Sequence, residues 1–271
     1  ASAALLVEET FDYPIFPLLG LNGRDGGIGF AGPWQARGDL PYGQPTQDSW
    51  QEFRLNPHPI GYEGYDALGR SVYTTTTYGS LQSEDLRQAD RPIVPIETAT
   101  QEVVYLGFTY EKLEPYSWGT GTGLVQCFDS SAPERFLRIR HRRGVESAVI
   151  GPDGQPTGGT AMGVHFEIGL GGTYAAMAEP FSWHTSSTGG LNVPYFLLAK
   201  LVFSEQFTVA LLHYSTSGEV LPMEDPIWDA WVGIEEPWDL DLDTLRLIAE
   251  ENNVSGRLGE IRIGTTIQDV L

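Results

Sequence analysis

The sequence predicts an all-β protein of many short strands, arranged as a sandwich or a barrel. Three observations predict it. Gly (32) and Pro (18) are frequent enough in 271 residues to break the chain repeatedly into turns. Runs of β-branched and aromatic residues recur at intervals of roughly 8–20 residues between Gly/Pro/Asp/Ser clusters, the spacing of a β-sandwich or barrel. Sustained helical periodicity is weak throughout.

Taken in order, the strand-like runs are Ala4–Phe11, Ser71–Tyr78, Val103–Tyr110, Gly123–Phe128, Phe136–Arg142 and Met162–Ile168. Tyr195–Phe203, Phe207–Tyr214, Trp228–Val232, Thr244–Ile248 and Gly259–Ile263 follow. In Val103–Tyr110 both alternating faces are apolar, as expected of a central strand. Pro194 precedes the next long run, where its missing N–H costs least. The short Ser204–Gln206 link then suits a hairpin to Phe207–Tyr214. Two segments carry helical signals: Leu81–Ala89 behind the possible cap Ser83, and Leu245–Glu251, which reads equally as helix or strand. Residues 20–70 read as ordered loops with short strands.

Asp plus Glu is 36 against 16 Lys plus Arg, a net charge of −20. Phosphate backbones and anionic lipid are therefore repelled, which speaks against nucleic acid and membrane surfaces as partners. The longest apolar runs are too short for a membrane span. Cys127 is the one cysteine, so no intrachain disulfide forms, and its apolar neighbours suit a buried small hydrophobe. The opening Ala-Ser-Ala-Ala resembles the mature end left by signal-peptide removal, giving the expectation of a secreted or cell-surface protein.

Three stretches carry sharper motifs: Leu5-Leu-Val-Glu-Glu-Thr-Phe-Asp-Tyr-Pro14, then Leu19-Gly-Leu-Asn-Gly23 with Gly26-Gly-Ile-Gly-Phe-Ala-Gly-Pro-Trp34, and Gly259-Glu-Ile-Arg-Ile-Gly-Thr-Thr-Ile-Gln-Asp-Val270. Together with Tyr195-Phe-Leu-Leu-Ala-Lys-Leu-Val-Phe203 they resemble the laminin-G-like, concanavalin-A-like jelly rolls of exported bacterial proteins. The resemblance implies a concanavalin-A-like jelly-roll β-sandwich of two antiparallel sheets with few short helices, one domain over residues 1–271. It also implies terminal strands side by side in one sheet. Val202 stands where that family commonly has Asp, and the chain stops at Leu271, where the family often continues into a Gly-rich tail.

Such sandwiches host lectins, glucanases and structural proteins, so function must come from the residues. The glucanases of this fold use a Glu-x-Asp-x-x-Glu strand to set two carboxylates on one face, and no Glu here has that spacing. No Gly-x-Ser-x-Gly elbow is present, and His58, His141, His165, His184 and His213 show no metal-ligand spacing. The expectation is no catalysis. Asp239, Asp241 and Asp243 share one face if extended, where Ca²⁺ or a basic neighbour would relieve their repulsion. Arg138, Arg140 and Arg142 share one face of the run from Phe136. They suit carboxylates of an adjacent strand, an acidic patch on another subunit, or an acidic glycan. Trp118, Trp183 and His184 lie in Gly/Ser/Thr-rich loops and suit glycan contact. The leading expectation is a non-catalytic extracellular structural protein that self-assembles. The alternative is a glycan-binding lectin-like module, and a glycoside hydrolase or lyase comes third.

Overall fold

The computed structural model describes residues 4–14, 20–37, 53–65, 69–73, 87–113, 121–143, 147–150, 156–161, 164–176, 193–216, 218–238, 241–249 and 256–271. In chain order the strands are β1 (Leu5–Glu9), β2 (Gln35–Arg37), β3 (Arg54–Asn56), β4 (Ser71–Tyr73), β5 (Arg87–Ile96) and β6 (Val103–Lys112). Next come β7 (Gly121–Phe128), β8 (Phe136–Arg143), β9 (Ser147–Ile150), β10 (Pro156–Ala161), β11 (Val164–Leu170) and β12 (Thr173–Ala176). Last are β13 (Pro194–Phe203), β14 (Thr208–Thr216), β15 (Ala230–Ile234), β16 (Leu242–Ala249), β17 (Gly256–Gly264) and the one-turn helix α1 (Ile267–Val270). No helix among the described residues is long and apolar enough to cross a membrane.

Two antiparallel sheets form the sandwich. One has eight strands in the order β15-β14-β13-β6-β17-β4-β3, with β1 also on β17. The other has seven, in the order β12-β11-β8-β7-β16-β5-β2. Late strands insert between early ones: β16 between β7 and β5, and β17 between β6 and β4. This is the crossing connectivity of a jelly roll, in agreement with the fold the sequence implies. The termini meet as expected, with Val7 opposite Ile263 and Glu9 opposite Ile261.

Side-chain alternation explains the layers. Along the seven-stranded sheet one registered row reads Ile168, Ile139, Val125, Leu247 and Ala89, every one of them buried in the core. The facing sheet supplies Val104, Leu106, Phe108, Tyr110, Leu197 and Ala199. Aromatic edges join the two layers: Phe166 of β11 meets Tyr110 of β6 at 6.0 Å and Tyr195 of β13 at 5.6 Å. A second, smaller core covers the outer face of the eight-stranded sheet, where Tyr62, Tyr65, Leu221 and helix α1 pack on Tyr105, Phe196 and Leu198.

The N-terminal motifs have a common purpose. Arg91 of β5 points inward and is 0% exposed. Its guanidinium pairs with Glu9 of β1 in the other sheet and donates to Asp25 Oδ1 at 3.1 Å and, through Nε, to the Gly32 carbonyl at 3.1 Å. The Phe30 ring lies 3.5 Å from the guanidinium carbon. Glu9 also accepts from Tyr13 Oη at 2.7 Å, Trp34 Nε1 at 2.8 Å and the Phe11 amide at 2.7 Å. Burial pushes the Glu9 carboxyl upward, against the pull of Arg91 and these donors. Gly29 carries φ +76, and a Cβ there would lie 1.9 Å from the Leu6 carbonyl oxygen, so only glycine lets this loop close on β1.

The structure corrects several local readings. The helical expectation for Leu81–Ala89 fails at Arg87–Ala89, which begin β5, while residues 81–86 lie outside the described residues. Pairing to β16 on one side and β2 on the other overrides the local signal. The prolines of β5 hid it from a strand reading. They are accommodated because β2 pairs only with Gln88–Asp90, and Pro92 then offers its carbonyl to the Ala31 amide at 2.9 Å. The ambiguous Leu245–Glu251 is strand through Ala249. The C-terminal motif leaves its strand at Gly264 and turns into α1, where Thr266 and Asp269 form a capping box.

Candidate functional site

The outer face of the seven-stranded sheet carries a row of polar side chains held in register. One position out of phase with the apolar row runs Tyr174, Gly169, Arg138, Gln126, Arg246, Asp90 and Gln35, in register across β12, β11, β8, β7, β16, β5 and β2. The neighbouring row adds Glu167 opposite Arg140. Each polar side chain sits between core residues: Gln126 between Val125 and Cys127, Arg246 between Leu245 and Leu247, Glu167 between Phe166 and Ile168. Strand alternation therefore fixes them outward.

These groups face outward yet are largely buried. Gln126 and Asp90 are each 4% exposed and Glu167 is 6% exposed. They remain affordable because they are matched. Arg246 donates to both Asp90 oxygens, at 2.5 Å and 2.9 Å, a bidentate fork. Arg140 pairs with Glu167, and its guanidinium lies 3.7 Å from the centre of the Tyr174 ring. Arg246 stacks likewise on Phe128 at 4.4 Å. Gly169 makes this possible, because a Cβ there would meet Tyr174 Cε1 at 2.4 Å. Phe136 lies 6.4 Å from Tyr174 and extends the aromatic end of the row. The result is a polar floor with fixed guanidinium planes and an aromatic edge.

Of the residues singled out in the sequence, Arg138 and Arg140 stand on this face as expected. The adjacent-strand carboxylate foreseen for the arginine ladder is Glu167. Arg142 continues β8 opposite His165, with its side chain outside the described residues. Trp118, Trp183, His184 and Asp239 lie outside the described residues. Asp243 accepts at Oδ1 from the Ser130 amide and the Thr244 hydroxyl, both 2.8 Å, and at Oδ2 from the Ser130 hydroxyl at 2.6 Å. A carboxylate has about four acceptor sites, so donors within the chain take most of what a cation would use. Asp241 is exposed just before β16. Beside them, the Ser131 hydroxyl holds the Asp129 carboxyl below its usual range. No group of three or more His, Cys, Asp or Glu among the described residues is placed to hold a metal.

Sequence reasoning missed Glu167, Gln126, Arg246, Asp90 and Tyr174. The signal was present for three: a single polar residue inside an apolar strand run, in phase with polar residues of other strands. Asp90 lies just beyond the segment Leu81–Ala89 that reads as helical. One further constellation is new. His213 Nε2 lies 3.2 Å from Ser215 Oγ, and His213 Nδ1 lies 2.9 Å from Asp229 Oδ2. The residue types are those of a hydrolytic triad, but Ser215 is 2% exposed, so its hydroxyl is closed to a substrate carbonyl. The trio fastens the segment before β15 to β14, an attachment that the Tyr214 amide strengthens by donating to Asp229 at 3.1 Å.

No family model matches the chain, and no curated protein matches it. Solved structures do. The binding domain of botulinum neurotoxin serotype C1 is 10% identical, with 92% of this chain and 48% of that one covered at a TM-score of 0.46. The catalytic domain of a glycoside hydrolase family 131 protein from Coprinopsis cinerea is 13% identical, with 95% and 82% covered at 0.40. A lectin from Bauhinia forficata in complex with GalNAc is 9% identical, with 75% and 89% covered at 0.38. The chain spans about half the length of the neurotoxin chains it matches. Scores this low assign no function, and the fold stands on the strand pairing itself.

Proposed function

We propose that this chain is a glycan-binding module that holds saccharide on the outer face of its seven-stranded sheet without turning it over. The observation that carries the reading is the registered polar row. A sheet face that merely meets water leaves its side chains exposed, and one that packs on a core is apolar. This row is polar, charged, largely buried and paired, with Tyr174 and Phe136 at one end. Those are the features of a saccharide floor, in which planar hydrogen-bonding groups meet hydroxyls and aromatic faces meet C–H-rich sugar faces. At about 4.8 Å per strand, the four steps from Asp90 to Glu167 span roughly 19 Å, room for several sugar rings. That separation also exceeds the roughly 5–9.5 Å between the carboxylates of a glycosidase, so this pair suits binding rather than hydrolysis.

A carbohydrate microarray probed with the intact chain tests the reading, with Arg138→Ala as the control. The proposal expects selective hits that weaken by about tenfold in the variant, the order of one charged hydrogen bond. Hits unchanged by the variant would move the site elsewhere.

A second reading, self-association, has its own observation. Val220 and Ile227 are each 91% exposed, Trp231 is 66% and Met223 is 60%, all near the edge strand β15. Sedimentation over a hundredfold concentration range tests it. A monomer at every concentration removes it, and assembly lost in Trp231→Ser supports it.

A further inference from the structure

We propose that the edge strand β15 and the segment before it dock a basic, apolar segment of another protein, laid alongside as an added strand. This surface belongs to the eight-stranded sheet and is independent of the glycan face. Exposed apolar side chains concentrate there. Among the described residues seven large hydrophobics are exposed, and five of them lie in one stretch: Phe207, Val220, Met223, Ile227 and Trp231. Strand pairing puts Trp231 at the end of a row with Leu211 of β14 and Lys200 of β13. The next row in the same phase is Gly233, Val209 and Val202. Between them Val232, Ala210 and Leu201 point into the core, so both rows face outward. Leu211, Val209 and Val202 keep part of their surface in solvent.

The strand itself is unguarded. β15 ends its sheet, with β14 on one side and no described strand on the other. Its sequence, Ala-Trp-Val-Gly-Ile, holds neither charge nor proline, two of the devices that keep an edge from pairing. Such an edge accepts an extended peptide through its backbone groups. Charge then selects the occupant. Residues 201–245 contain ten Asp and Glu and neither Lys nor Arg. Lys200 pairs with Asp225, and Arg135 lies 3.7 Å from Glu236. Glu224 and Glu235 are exposed and hold no ion pair among the described residues. A second copy paired antiparallel about Val232 would set Asp229 opposite Glu235, like against like. A segment that carries Lys or Arg among β-branched and aromatic residues instead satisfies both the apolar rows and the acids around them.

Random displayed peptides of strand length, selected on the intact chain, test this. Enriched peptides should be rich in Lys or Arg with Val, Ile or Trp, and poor in Asp and Glu. Fluorescence polarisation of the strongest labelled peptide should show a loss of about tenfold or more in Trp231→Ser, the size of an interface anchor. Glu235→Gln should cost about threefold, as for one exposed charge pair. Raising the salt from about 0.05 to 0.5 M should weaken binding further, because screening shortens over that range. Unchanged thermal melting of both variants separates lost binding from lost fold. Enriched peptides without net positive charge, or binding unaltered by Trp231→Ser, would overturn the proposal. A dimer in sedimentation that the peptide does not displace would give the face to a second copy and overturn it too. The glycan microarray reads the other sheet, so either reading can fail without the other.

Discussion

Arg91 with Glu9, and Arg140 with Glu167, are the same chemistry placed on opposite faces of one sheet. Arg91 points into the sandwich at 0% exposure and bridges the two sheets, held by a carboxylate, a carbonyl and an aromatic ring. Arg140 points outward and pairs within its own sheet, its side chain 18% exposed. Strand alternation alone decides which is which. An inward ion pair with every donor matched can only specify structure, because nothing can reach it. An outward pair stands on the side of the sheet that the glycan reading gives to a ligand. Motif strength is therefore a poor guide to function in this chain. The sharpest N-terminal motif builds the interior clamp, whereas the proposed binding face is written in single residues scattered over seven strands.

That comparison can be broken at its strongest point first. Arg91→Ala leaves Glu9 buried without its partner and should cost about 3–5 kcal/mol in urea unfolding. Replacing both members by methionine should cost far less than the sum of the single changes. Additive losses would show that the two do not act as a unit. On the outer face, Arg138→Ala should cost less stability than Arg91→Ala while removing most glycan affinity. A large loss of stability there would erase the distinction between the faces. Gly169→Ala should displace the Tyr174 ring and weaken binding several-fold with a smaller stability change, read by calorimetry and near-ultraviolet circular dichroism.

Smaller effects sharpen the picture of the interior. Burial pushes the Cys127 thiol up to about 12, so it should resist a thiol reagent at pH 8 until the chain unfolds. Rapid labelling of the folded chain would contradict its place in the core. Smallest of all is the acid limb of stability. Asp129 is held below its ordinary value, so its contribution is full above pH 3.8 and is lost as pH falls through its depressed value. Asp129→Asn should flatten that limb by removing a small contribution at neutral pH, with parent and variant converging at the acid end.

Much of the fold was legible because its strands alternate cleanly or are bounded by turns. Runs such as Val103–Tyr110 and Tyr195–Phe203 differ from β6 and β13 by at most two residues at either end. What escaped was non-local. β5 carries Pro92 and Pro95 and forms only because β16 and a loop supply its partners. Short strands such as β2 and β12 carry too few residues to show a period. At the site, the arginine ladder was readable from β8 alone, but its meaning depended on Glu167 and Gln126, brought alongside by registers that no single strand encodes. Arg91 was likewise invisible as the partner of Glu9, since 82 residues separate them.

Hydrogen–deuterium exchange of the chain with and without a bound oligosaccharide, taken from the strongest microarray hit, tests the central claim most directly. The account predicts added protection confined to β7, β8, β11 and β16, with the segment 218–234 unchanged. Protection at 218–234 with the seven-stranded sheet unaffected would place the binding surface on the opposite side of the sandwich and contradict the account.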